Sequence, residues 1–199
     1  MIGIALLGAG LFAQEQHLPA IQSSKTFELR AVYSRSLKSA SALAANTSSP
    51  DAVTTYADDH PTPSRSLADI LARTDVSAVI ICLPIPAQPG AIRLALAAGK
   101  HVLSEKPIAP SVADARALVS WHQSLARAPV WPVAETTLPT AAAASTVTST
   151  AAAAPAAAIT TVAVPVVASI ASIACKNVTA CVMTVPPSVS TARLTAPVA

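Results

Sequence analysis

The run from Ile2 to Leu7 is continuously apolar, the pattern of a strand buried on both faces. Gly8-Ala9-Gly10 follows at once, and apolar spacing then predicts a helix from about Leu11 to Ile21. Phe27 to Tyr33 reads as a second strand, and the Ala/Ser/Leu-rich residues 36–46 as a helix. Val53 to Tyr56 is a short third strand. Ser66 with Asp69 three residues on has the form of a capping box, which places a helix over about 66–73. Val76 to Leu83, rich in Val and Ile, is another buried strand. Pro84 to Pro89 reads as a turn, followed by a helix to about Ala98 that Gly99 terminates. His101 to Ser104 is a short strand. Ser111 and Asp114 repeat the capping pattern, and Val112, Ala115, Leu118, Val119 and Leu125 are expected on one helical face. Val130 to Ala134 supplies a sixth strand. Strands and helices alternating through short links predict an α/β fold, a doubly wound parallel sheet of the Rossmann type, over residues 1–135.

Composition divides the chain at the end of that pattern. All ten acidic residues lie at or before Glu135, all six aromatics at or before Trp131, and all five glycines at or before Gly99. Beyond Glu135 the only charged side chains are Lys176 and Arg193. Residues 136–199 are mostly Ala, Thr, Val, Ser and Pro, without sustained period, and prolines at 139, 155, 165, 186 and 187 interrupt any helix. They read as a low-complexity tail without a second domain.

The net charge of +3 is small and its basic residues are scattered, so no nucleic-acid footprint is expected. Cys82 reads as a small core residue. Cys175 and Cys181 have no histidine nearby, so neither a metal site nor a disulfide framework is expected. The four histidines have no metal-ligand spacing. The apolar N-terminus lacks the basic flank of a signal peptide. The stretch Ile159 to Ala174 is shorter than the ~20 residues of a spanning helix and is broken by Pro165. No membrane association and a cytoplasmic setting are the resulting expectations.

Gly8-x-Gly10-x-x-Ala13 lies between a strand and a helix, the context that makes such a motif informative. Gly8 permits the tight turn, Gly10 lets a pyrophosphate approach the backbone, and Ala13 is small enough for close helix packing. The free N–H groups of the helix start then face the phosphates. The plainer reading is a glycine turn in some other α/β protein. At the end of the second strand stands Tyr33-Ser34-Arg35-Ser36, where an NAD-preferring domain usually has an acid for the ribose hydroxyls. No acid occurs between Glu28 and Asp51. Ser34 can bond a phosphate, and Arg35 can bond it and stack on adenine. This predicts NADP as cofactor, with NAD second. The bland alternative is a solvated basic loop.

The combination of GAGLFA (8–13), HLPAI (17–21), CLPIPAQP (82–89) and AGKHVLSEKPIA (98–109) resembles the glucose–fructose oxidoreductase/inositol dehydrogenase family, Gfo/Idh/MocA, over about residues 2–135. The resemblance implies an NAD(P)-dependent oxidoreductase acting on CH–OH groups of sugars, polyols or related alcohols. It places Gly8, Gly10, Leu11 and Phe12 in the pyrophosphate loop, and Ser34 and Arg35 at the ribose-selecting site. Leu83 and Pro84 fall in the turn beneath the nicotinamide-side ribose. Gln88 stands where many members have histidine and is counted among the cofactor contacts. Glu105 matches the acid that contacts the cofactor ribose. Lys106 matches the lysine near nicotinamide and substrate hydroxyl, and is the one catalytic residue expected. His17 fits a helix position with a structural role. Full-length relatives pair this domain with a C-terminal α/β domain and can be homo-oligomers.

The resemblance stops at Glu135, where family members usually continue Glu-Asn-Tyr/Phe-Arg and this chain reads Glu-Thr-Thr-Leu. The abrupt change suggests a shifted reading frame or a mis-spliced gene model, with a genuine Ala/Thr/Val tail as the alternative. The expectation is an oxidoreductase's nucleotide-binding half, truncated and inactive alone. The alternatives are a non-catalytic NADP-binding or regulatory module, or a carrier for an interacting tail.

Overall fold

A computed structural model describes residues 1–134. The expected low-complexity tail, with Cys175 and Cys181, and Glu135 lie outside the described residues.

Six parallel strands form one sheet in the order β3-β2-β1-β4-β5-β6. They are β1 Ile2–Leu7, β2 Phe27–Ser34, β3 Thr54–Ala57, β4 Ala78–Ile81, β5 His101–Glu105 and β6 Val133–Ala134. The expected doubly wound α/β sheet is the fold observed. A π-helical segment, Ala13–His17, runs into helix α1, Leu18–Gln22. The remaining helices are α2 Leu37–Ala45, α3 Leu67–Ala72, α4 Gln88–Ala97 and α5 Val112–Gln123.

Central β1 is buried on both faces, and its side chains feed two cores. Ile4 and Leu6 join Leu18, Ile21, Phe27, Val32 and Leu43 on one face. Ala5 and Leu7 join Ile70, Ile81, Ile92, Leu96 and Leu118 on the other. Strand β2 joins this scheme through an irregularity: Ile4 pairs with Leu29 but Ala5 with Ala31. The extra residue, Arg30, lets Leu29 and Val32 face the same core although they are three positions apart. Gly3 packs against the Asp75 backbone so closely that a Cβ would overlap the Asp75 carbonyl oxygen.

The caps act as read: Ser66 and Asp69 form a complete capping box, and Ser111 Oγ accepts from Asp114 N at 3.1 Å. Gly99 adopts φ +76° after α4, as a helix stop requires. Several details differ from the pattern reading, among them the sixth strand, expected over Val130 to Ala134 and observed only at Val133–Ala134. Strand β4 is shorter, ending at Ile81, after which the chain enters the turn of Cys82 to Pro84. Helix α4 begins at Gln88, with Pro89 in its first turn where a missing N–H is harmless. Helix α5 buries Leu118 and His122, whereas Val112 is 71% and Val119 38% exposed. Its inward stripe is anchored by a polar residue: His122 Nε2 meets Pro129 O at 2.9 Å, and its ring stands edge-on to Trp131.

The approach to β6 carries a pH dependence. Val130 N donates to His101 Nδ1 at 3.0 Å, so the folded chain needs that nitrogen unprotonated. Burial pushes the imidazole below its ordinary value near 6.5. Below that value the unfolded His101 takes a proton that the folded one resists, so stability falls as pH falls from about 6.5 toward the folded value. Protection of the Val130 amide, taken relative to its intrinsic exchange rate at each pH, is expected to fall over this range, and His101→Asn to flatten the response; a pH-independent protection factor in the parent would contradict the assignment.

Candidate functional site: the carboxyl edge of the sheet

The strand order reverses between β1 and β4, the switch point where open α/β sheets bind ligands. Register places the site residues along that edge. Leu7 pairs with Tyr33 and with Ile81, and Ile81 with Ser104, so Gly8, Ser34, Cys82 and Glu105 stand one step further on as a row. Gly8 N donates to Tyr33 O at 2.8 Å. Its φ of +115° and the Cys82 carbonyl carbon, 2.8 Å from where a Cβ would stand, leave room only for glycine. Gly10 is different. Nothing lies within 4 Å of its Cβ position, so the loop is open on that side. Gln14 Nε2 holds the loop by donating to Ala9 O at 2.9 Å. Leu11 and Phe12 are exposed on the rim of this crevice.

At the β2 end Ser34 is half-buried and Arg35 exposed. The structure adds two acids that the chain order hides. Ser34 pairs with Ala57, which brings the following Asp58 and Asp59 to the same corner. Tyr33 OH donates to Asp58 Oδ1 at 2.6 Å, and Leu37 N, at the start of α2, donates to Asp59 Oδ1 at 2.6 Å. Burial, then the Asp58 carboxylate, hold the Tyr33 hydroxyl well above the ordinary phenol value, while nearby Arg35 acts in the opposite direction. The corner is therefore mixed in charge rather than simply basic.

At the opposite end, Leu83 packs on the second core and Pro84 is exposed at the turn. Gln88 is only 1% exposed. Its Nε2 donates to Pro107 O at 3.0 Å, and its Oε1 has no partner. Glu105 Oε1 meets His17 Nε2 at 2.7 Å, with both side chains largely buried. Lys106 is exposed and pairs with no carboxylate among the described residues. Burial, reinforced by the Glu105 charge, pushes the Cys82 thiol far up, a direction that disfavours its thiolate. Among the described residues no three His, Cys, Asp or Glu side chains gather as a metal would require, and no helix is long and apolar enough to cross a membrane.

A glycine turn at the switch point, an open helix start and polar groups at both ends of the crevice define a dinucleotide-binding Rossmann domain. The family model for the oxidoreductase family Gfo/Idh/MocA, NAD-binding Rossmann fold, matches residues 2–131, and the chain belongs to that family. Dehydrogenase FPY6 of Fusarium mangiferae is 56% identical over 135 residues, 68% of this chain and 38% of that protein. Galactose 1-dehydrogenase of Pseudomonas fluorescens is 30% identical over 130 residues, 63% of this chain and 35% of the relative. Among solved structures, an oxidoreductase from Thermotoga maritima superposes with a TM-score of 0.55 at 29% identity, covering 68% of this chain and 38% of its own. A variant of a 3-ketoreductase from Actinomadura kijaniata, in complex with TDP-benzene and NADP, gives 0.53 at 26% identity, covering 66% and 36%. The chain thus spans well under half the length of these relatives.

Proposed function

We propose that residues 1–135 form the cofactor domain of an oxidoreductase acting on CH–OH groups of a sugar, polyol or related alcohol, with NADP as cofactor. The observation that carries this reading is the row at the sheet edge, with the glycine loop in the middle, Arg35 at one end and Lys106 at the other. Gly8, Gly10, Leu11 and Phe12 would hold the pyrophosphate, and Ser34 and Arg35 the ribose phosphate. Leu83, Pro84 and Glu105 would flank the nicotinamide-side ribose. When bound, the cofactor supplies the hydride acceptor or donor. Lys106 contributes a cation beside the reacting oxygen, where it stabilises developing alkoxide charge and can carry the proton. The sugar-related names of relatives support the substrate class, and the NADP complex of the 3-ketoreductase supports the cofactor.

Asp58 and Asp59 favour a second reading of the cofactor. Carboxylates at that corner repel a 2′-phosphate and can accept ribose hydroxyls, which points to NAD. Calorimetric titration with both cofactors separates the two. Arg35→Asp is expected to weaken NADP binding about 10- to 100-fold, the worth of a charge-assisted bond, and to spare NAD. Tighter binding of NAD by the parent protein would transfer the assignment to NAD.

A further inference from the structure

Among the described residues Lys106 has no tether of its own. Its side chain is exposed and ion-pairs with nothing described, so the reach of its Nζ depends on how firmly the turn beneath it is held. That turn is fastened on both sides. Before it, Glu105 is bonded to His17, which projects from the π-helical segment that follows the glycine loop. After it, the Pro107 carbonyl accepts from Gln88, the first residue of α4. The two fastenings come from helices that follow β1 and β4, the strands on either side of the switch point.

We infer that His17 and Gln88 are positioning residues for Lys106, gripping the Glu105–Lys106–Pro107 turn from the two elements that flank the dinucleotide crevice. The inference rests on the proposed role of Lys106 but concerns the grip itself. Three features support it. Gln88 buries an amide whose oxygen goes unpaired, a costly arrangement that a methionine of similar size would avoid. What the amide provides in return is one donor, aimed at Pro107. Pro107, the residue that receives this donor, is itself exposed on the turn. His17 touches the glycine loop as well: the Phe12 ring, 52% exposed on the crevice rim, stands edge-on to the imidazole at 5.5 Å. Loop, imidazole, carboxylate and lysine turn are therefore one connected chain.

The test uses the full 199-residue protein and needs no substrate. Backbone order parameters of Lys106 and Ile108 are measured by NMR relaxation in the parent, in Gln88→Met and His17→Leu, which lack the donor, and in Gln88→His and His17→Gln, which retain one. The parent and donor-retaining variants are expected near the rigid value of about 0.85, and the donor-lacking variants below about 0.6. Gln88→Met is expected to melt at or above the parent temperature while the turn loosens, a combination that a purely structural role does not produce. Unchanged order parameters in both donor-lacking variants would overturn the inference, as would loss of the whole fold in both. A parallel measurement follows acetylation of Lys106 with and without NADP. Failure of NADP to shield Lys106 in the parent, with the order parameters behaving as expected, sinks the cofactor reading and leaves the grip standing.

Discussion

Gly3→Ala is expected to destabilise the folded chain by at least about 3 kcal/mol, the upper range for overpacking a core. Local preference argues the other way. Glycine within a regular element is worth roughly 0.5–1 kcal/mol less than alanine, and Gly3 shows no left-handed backbone that would demand it. Space decides the sign. An added methyl would overlap the Asp75 carbonyl oxygen, with the carbonyl carbon at 3.0 Å and Arg30 Cγ at 3.1 Å. The obstacle is backbone, held by the Ser77 N bond to Gly3 O at 2.9 Å, so it has little freedom to retreat. Thermal unfolding should show a midpoint lowered by more than about 10 °C. A midpoint within a degree or two of the parent would mean that the Asp75 turn yields easily.

The 199-residue chain saturated with NADP is expected to leave aldoses, polyols and inositols unreacted at any useful rate. Lys106 can be held by its own domain, but hydride transfer also needs the substrate carbon fixed against the nicotinamide. Orientation of reactants can contribute on the order of 7–11 kcal/mol, which corresponds to five or more powers of ten in rate. Among the described residues nothing stands over Lys106 to provide such walls; the side chain is open to water. Beyond residue 135 the sequence supplies no aromatic and only Lys176 and Arg193 as charges, few groups with which to grip a polyhydroxylated ligand. Steady-state assays following NADPH absorbance across these substrates are the measurement. Robust turnover abolished by Lys106→Ala would require that the tail or a partner completes the site.

Much of this architecture is legible in the chain because its signals are local. The β1–Gly8 junction, the capping box at Ser66 and the Gly99 stop each depend on a few consecutive residues, and each occurs where the pattern places it. The inward face of α5 is not legible from apolar residues alone, because counting them gives weight to Val112 and Val119 and none to His122. Yet an imidazole bonded to Pro129 and packed on Trp131 is the group turned inward. Asp58 and Asp59 are hidden at the β2 end of the site for another reason. They lie more than twenty residues from Arg35, and only the pairing of Ser34 with Ala57 makes them neighbours. The His17–Glu105 pair, 88 positions apart, is hidden in the same way.

The two-sided burial of β1 bears on how the strand finds its place. Where one sheet face is wet, a slip of one residue exposes apolar side chains and is penalised. In β1 such a slip would exchange Ile4 and Leu6 for Ala5 and Leu7 between two cores that are both apolar, and hydrophobicity would barely object. The glycines at the two ends object instead. Sliding the strand either way would press Ile2 or Ile4 onto the Asp75 carbonyl, and Leu7 or Ala9 onto that of Cys82. Two absent methyl groups, five residues apart, therefore act as bookends: they select one alignment for a segment whose oiliness alone would accept several.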